Sequence, residues 1–332
     1  MRHMIATAIV AAVSVGGVFA QNTPPIAHDY AEVNGQRLHY VKAGRGPLMI
    51  FLHGFPEFWY EWKSQLAEFS RDHTAVAPDL RGYNLSSKPA DVADYAVPNM
   101  VADVHALATA LLKSTGGSTF TLVAHDWGGV IAWVYAAQHP EMLDRLVILN
   151  APHPSLFGRE LRENPAQQKA SEYMLMFRSQ EAEALLSENQ FEWLKRAVLG
   201  GNPSKADEDA YVEAWSQPGA LTGGLNYYRA SGIGPPPSAA STTSAAASAA
   251  PSTTAPTPSP PPAAPMMIIR VPTLVIWGEK DTALLTGNLN GLDQVVPKLT
   301  VKRIPDGTHW IAREKAADVN VLIREFLKQS GS

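Results

Sequence analysis

The stretch of this sequence best suited to chemistry is Ala124-His125-Asp126-Trp127-Gly128-Gly129. It follows a strand pattern and opens a helical one, with small residues at 124, 128 and 129 around a central carboxylate. A sharp strand-to-helix turn strains its central residue and lets backbones approach closely, so its neighbours must be small. Taken alone, the same residues would also serve an ordinary strand–helix turn with Asp126 as its N-cap. The rest of the chain supplies the partners that a nucleophile needs. The order on such a scaffold is nucleophile, then acid, then histidine. Trp277-Gly278-Glu279-Lys280-Asp281 puts an aspartate just past a strand, and Gly307-Thr308-His309-Trp310 puts a histidine between the last strand and the last helix. The triad is then Asp126, Asp281 and His309. His153 precedes the acid, while His39, His73, His105 and His139 fall in strand, helix or surface contexts and read as structural. Glu279 and Asp306 read as solvated or loop-capping acids. Asn150 follows another strand where an acid could have stood, but it is an amide.

An aspartate at the turn selects the chemistry. A carboxylate that attacks an ester carbonyl makes an anhydride, a poor intermediate. One that attacks an sp³ carbon makes an alkyl ester, which water then cleaves at its carbonyl. Asp126 therefore points to displacement at carbon. In the second half His309 takes a proton from water, while Asp281 orients and charge-stabilises the imidazole. His53-Gly54-Phe55-Pro56-Glu57 turns after a buried strand and can aim the Phe55 N–H at the site. With the Trp127 N–H it makes a two-donor oxyanion hole. His53 itself reads as a packing and hydrogen-bonding residue.

These residues need a scaffold, and alternating patterns supply one. Tyr30–Val33 and Arg37–Val41 flank Asn34-Gly35 as a hairpin. Pro47–Leu52 is a continuous apolar run, as a strand buried on both faces requires. Helix and strand signals then alternate: Glu57–Phe69, Thr74–Ala77, Asn99–Leu112, Phe120–Ala124, Gly128–Gln138, Leu143–Leu149. Strands at Thr273–Trp277 and Leu299–Ile304 and a closing helix at Trp310–Lys328 follow. Such alternation predicts an α/β fold, a mostly parallel sheet with helices on both faces. Residues 160–229 break it with a helical segment rich in Met, Phe, Trp and Tyr, which reads as a cap. Among its residues Met174, Met176, Phe177, Trp193 and Trp215 would line an apolar pocket or form the cap's own core.

Composition narrows the partners. The 332 residues carry a net charge of −4, with no basic block, so neither a nucleic acid nor an anionic membrane surface is expected. With no cysteine, disulfides, thiol nucleophiles and thiolate metal sites are excluded. Residues 1–20 read as a signal peptide: a short polar start, the apolar run Met4–Val18, and Val18-Phe19-Ala20 before Gln21 as the cleavage site. The run is short for a membrane span of roughly 20 residues. The expectation is a periplasmic or secreted protein with no membrane insertion after cleavage. Residues 235–265 hold only Pro, Ala, Ser and Thr, 10 of the 31 being proline, and read as a solvated insertion without a core. A glycosylated or partner-binding stalk is the alternative. The expected organisation is a core at 21–155 and 266–332, a cap at 156–234 and the insertion between them.

Six motifs in this order resemble the epoxide hydrolases of the α/β-hydrolase fold, secreted bacterial ones among them. They are His53-Gly54-Phe55-Pro56, Asp79-Leu80-Arg81-Gly82-Tyr83, His125-Asp126-Trp127-Gly128, Leu225-Asn226-Tyr227-Tyr228-Arg229, Trp277-Gly278-Glu279-Lys280-Asp281 and Gly307-Thr308-His309-Trp310. The resemblance runs from about Tyr30 to the C-terminus, apart from the insertion. It implies conversion of an apolar epoxide and water to a vicinal diol, with no cofactor and no metal; a homodimer is compatible with it. It also implies two cap tyrosines assisting the leaving oxygen, matched by Tyr228 before Arg229 and by Tyr173 in Tyr173-Met174-Leu175-Met176-Phe177. A phenol suits an alkoxide leaving group, whereas a halide needs only weak N–H donors. The alternatives are a haloalkane or haloacid dehalogenase on the same scaffold and a secreted binding or host-interaction protein. Tyr227 reads as packing. Where resembling sequences have Arg-Gly-Tyr-Gly-x-Ser, this chain has Asn84, which tolerates positive φ better than most residues. At most a local shift of the pocket wall is expected there.

Overall fold

The computed structural model describes residues 24–200, 203–236 and 267–329. The leader expected at 1–20 and nearly all of the insertion at 235–265 lie outside the described residues.

Among the described residues, eight strands form one sheet in the order β1-β2-β4-β3-β5-β6-β7-β8. They are β1 Ala27–Val33, β2 Gln36–Ala43, β3 Leu48–Leu52, β4 Thr74–Pro78, β5 Phe120–His125, β6 Leu143–Leu149, β7 Thr273–Gly278 and β8 Leu299–Ile304. From β4 to β8 all neighbours run parallel, and β2 is antiparallel to both β1 and β4. The apolar run of β3 has the expected cause. Leu48, Ile50 and Leu52 join the core on one face, and Met49 and Phe51 that on the other. Helices α1 (Lys63–Phe69), α2 (Val97–Thr115) and α3 (Asp126–Gln138) belong to this half. On the Met49/Phe51 face α1 contributes Leu66 and Phe69; on the opposite face α2 and α3 contribute Leu107, Leu111, Ile131 and Trp133.

Among the described residues, six helices lie between β6 and β7: α4 (Pro154–Glu163), α5 (Pro165–Ala170), α6 (Tyr173–Arg178), α7 (Ala182–Leu199), α8 (Lys205–Ser216) and α9 (Ala220–Ser231). They meet the loops that follow β3 and β4, where Trp215 Nε1 donates to Pro56 O at 2.6 Å and Tyr227 Oη to Arg81 O at 2.8 Å. Helix α7 is interrupted at Glu188, and Asn189, Gln190 and Phe191 take left-handed φ values of 50°, 57° and 62°. Helices α10 (Leu292–Val295), α11 (Ile311–Glu314) and α12 (Ala316–Lys328) complete the chain, with α12 supplying Val319, Ile323 and Phe326 to the Met49/Phe51 face.

Two helices differ from expectation. The segment after Glu57 begins as a 3₁₀ turn, Trp59–Trp62, and the Trp59 N–H, which has no intrahelical acceptor in a first turn, goes to Asp79 Oδ1 at 3.0 Å. The closing helix is two, broken at Lys315. There the Ala312 carbonyl accepts Gln65 Nε2 at 2.9 Å, the acceptor that a continuous helix would have used for residue 316.

Candidate active site

Strand β5 passes into α3 with no residue between them, and Asp126 at the junction has φ +48°. That left-handed conformation is costly for an aspartate and is what turns its carboxylate out of the strand. The small neighbours have the predicted reason: a Cβ on Gly128 would stand 2.3 Å from Leu52 O and 2.5 Å from His53 O. The parallel register pairs Leu52 with Ala124, which brings the turn after β3 against the turn after β5. A Cβ on Gly54 would fall 2.2 Å from Asp126 Oδ1. The Phe55 N–H donates to that same oxygen at 2.8 Å. Trp127 lies in the first turn of α3, where backbone N–H groups have no intrahelical acceptor.

His309 and Asp281, expected from the sequence to complete the triad, reach this point from the far end of the chain. His309 Nε2 is 3.7 Å from Asp126 Oδ2, and its Nδ1 is 2.7 Å from Asp281 Oδ2. Asp281 is 4% exposed and saturated with donors: Ala283 N–H at 2.8 Å and Leu284 N–H at 2.9 Å on Oδ1, Asn150 Nδ2 at 2.7 Å on Oδ2. Burial pushes its pKa up, but the His309 charge and these donors more than offset this and hold it below the usual carboxylate range. Burial likewise opposes charge on His309, yet the Asp281 carboxylate outweighs it, with Asp126 adding to the pull, and the imidazole is raised to about 9.

At Asn150 the sequence shows only an amide where an acid could have stood. Its φ is +36°, its Nδ2 supports Asp281, and its Oδ1 accepts the Gly278 N–H at 2.8 Å. It locks the acid's loop. An amide following a strand was the only sequence signal of that.

A cavity of about 290 Å³ opens above Asp126 and His309. Tyr173 and Tyr228 line it, together with Phe55, Phe177, Trp193 and Trp310. The two tyrosine rings are 6.5 Å apart, and Tyr228 packs edge-on to Phe55, Trp127 and Phe177. Burial first, and the Asp126 charge second, push both phenols well above their ordinary range, so both remain hydrogen-bond donors. Arg229, beside Tyr228, is tied to Glu183 at 2.7 Å through both terminal nitrogens, which anchors α9 to α7.

Of the apolar cap residues considered from sequence, Phe177 and Trp193 face the cavity. Met174 is buried and Trp215 sits at the seam with Pro56; Met176 packs against the core. Asn84 takes a positive φ of +38° and donates to Asp79 Oδ2 at 2.9 Å. His53 is fully buried between Gly54 O at 2.9 Å and the Leu80 N–H at 3.0 Å. Glu279 pairs with Arg303, and Asp306 with Lys315.

The arrangement brings together a carboxylate at a strained turn, an imidazole held by a second carboxylate, a backbone N–H on the first carboxylate and two phenols lining the same cavity. The α/β hydrolase fold family matches residues 47–316. The chain is 35% identical over 318 residues to epoxide hydrolase 3 of Xenopus tropicalis, covering 91% of this chain and 78% of that protein. It is 36% identical over 327 residues to epoxide hydrolase 4 of Mus musculus, covering 93% and 82%. A crystal structure of the Bacillus megaterium epoxide hydrolase in complex with an inhibitor superposes with a TM-score of 0.76, at 36% identity, over 91% of this chain and all of that one.

Proposed function

The chain belongs to the epoxide hydrolases of the α/β-hydrolase fold, and on that premise we propose that it converts an apolar epoxide and water to a vicinal diol through an alkyl ester on Asp126. What carries this reading is the shared cavity: the Asp126 carboxylate, the His309 ring and the Tyr173 and Tyr228 phenols all line it. An Asp126 oxygen bonds to an epoxide carbon, and the ring C–O bond breaks toward Tyr173 and Tyr228. The departing alkoxide is a far stronger base than a phenolate, so a phenol takes its negative charge by giving up a proton. His309, an imidazolium while Asp126 is a carboxylate, then restores the phenol and becomes a neutral base.

In the second half His309 removes a proton from water as its oxygen attacks the Asp126 carbonyl carbon. The Phe55 and Trp127 N–H groups hold the oxyanion. Collapse breaks the ester C–O bond, and the leaving oxygen takes the His309 proton. The second water proton, on the carboxyl group just formed, returns to His309. Asp126 is again a carboxylate facing an imidazolium, and one epoxide and one water have become a diol.

Intact mass of a His309→Gln variant, mixed with a panel of epoxides and haloalkanes, tests this. Without its base the enzyme should retain the ester and gain the mass of a whole epoxide. A gain equal to the alkyl group of a haloalkane, with none from epoxides, would make it a dehalogenase. No adduct from either series would favour a binding role for the fold. The apolar leader supports export, which N-terminal sequencing of the mature protein would check.

A further inference from the structure

Behind the triad lies a cluster of ionisable groups that the mechanism above does not use. Glu61, in the 3₁₀ turn, is 2% exposed and His125, next to the nucleophile, is fully buried. Glu61 Oε1 stands 2.6 Å from His125 Nδ1. Neither atom has another side-chain hydrogen-bond partner among the described residues. On the other side of the ring, His125 Nε2 is 2.9 Å from the main-chain oxygen of His309. A carbonyl only accepts, so Nε2 carries a proton. The two imidazole rings themselves are 4.6 Å apart.

We infer that Glu61 is a positioning residue for His309: it stays a carboxylic acid and shares its proton with His125 Nδ1, so that His125 keeps the Nε2 proton that holds the His309 carbonyl. Two bare lone pairs at 2.6 Å would repel, so one proton lies between them. Burial favours the neutral form of the pair over an ion pair. Burial, with the Asp126 charge next, raises Glu61 well above the carboxylate range, while burial and the His309 charge lower His125 to about 4. The groups that face the pair divide. Around Glu61, Asp126 and the nearby Glu57 oppose a second buried anion, whereas His309, Arg313 and a Gly54 backbone hydrogen bond favour one. Around His125, the His309 charge opposes an imidazolium and Asp126, Glu57 and Asp281 favour one, and burial is the largest influence on both. Glu57 is itself raised by burial and by Glu61, to about 7, and accepts the Tyr211 hydroxyl.

Neutrality here has a catalytic consequence. As a carboxylate, Glu61 would strengthen the negative field that keeps a proton on His309. As an acid it leaves that task to Asp281 and Asp126, and the second of these disappears as a charge when the ester forms. The inference rests on His309 acting as the base of the proposed reaction.

Two measurements test it. In the wild-type protein labelled with ¹⁵N-histidine, His125 should show an unprotonated Nδ1 and a protonated Nε2 from pH 5 to 9. A protonated Nδ1 at neutral pH would overturn the inference, and this readout is independent of turnover. In single-turnover kinetics, Glu61→Gln, whose amide N–H can still donate to Nδ1, should hydrolyse the ester within about twofold of wild type. Glu61→Leu should slow hydrolysis on the order of 10-fold to 100-fold, as small misplacements of a catalytic group do. Its alkylation rate should stay unchanged, and the pH midpoint of its hydrolysis should move. A Leu variant with wild-type hydrolysis and pH profile, or a Gln variant as slow as the Leu variant, would refute it. Wild-type protein that turns over no epoxide would instead remove the reading of His309, and the tautomer would still be known.

Discussion

The proton affinity of His309 should change in the middle of the catalytic cycle, and Asp126→Asn isolates the change. In the resting site His309 is raised to about 9, so at pH 7 roughly 1% of it would be neutral and able to act as a base. The opposing carboxylate of Asp126 lies 3.7 Å away, with both side chains 12% exposed. At an effective dielectric of about 20, two unit charges at that separation attract by roughly 4 kcal/mol, an upper bound worth about a thousandfold in proton affinity. Even a third of that, about tenfold, brings the midpoint down to about 8 or below. Esterification removes the charge, and an asparagine mimics the neutral ester. The assay is a pH titration of the His309 ring signals by NMR in wild type and Asp126→Asn. Intact mass would show that the amide, which faces an active base, has not been hydrolysed. Single-turnover ester hydrolysis should rise with pH and level off well below 9, with a midpoint near that of the Asn variant. An unchanged midpoint of about 9 in the variant, or hydrolysis that keeps climbing through pH 9, would refute the idea that esterification releases the base.

Three further outcomes are expected. Tyr228→Phe and Tyr173→Phe should each slow ester formation by roughly 10²-fold, with the double variant slower still and hydrolysis of a preformed ester unaffected; stopped-flow tryptophan fluorescence separates the steps, since Trp127 and Trp310 adjoin the site. Gly128→Ala must accommodate a Cβ 2.3 Å from a backbone oxygen and should cost at least roughly 1–3 kcal/mol, read as a lower midpoint in urea unfolding. Removing residues 238–265 should leave epoxide turnover and thermal midpoint close to those of the full chain, because Pro, Ala, Ser and Thr alone supply no core; loss of folding would contradict that reading.

Much of the site was legible because its signals are local. An Asp ringed by small residues between a strand pattern and a helix pattern specifies a strained junction whatever lies elsewhere, and Asp126 indeed takes φ +48° between β5 and α3. A continuous apolar run has one stable place, inside a two-faced sheet, and β3 is there with Leu48 and Met49 on opposite faces. The chain order of Asp126, Asp281 and His309 was likewise a property of the string.

What tertiary structure alone decided are the relations between distant segments. Tyr173 stood in a loose pattern, and only the packing of α6 on α9 turns it toward Asp126 in one cavity with Tyr228. Asn150 supports Asp281 across 131 positions, and Glu61 meets His125, which holds the His309 carbonyl across 184. Even the length of the closing helix turned on Gln65, 247 residues from the carbonyl it captures. The physical reason is the same in each case. A turn or a strand is set by steric and solvation preferences of neighbours in sequence, whereas the burial of a carboxyl group, the tautomer of an imidazole and the proton affinity of a base depend on which groups the sheet register and helix packing bring within a few ångströms.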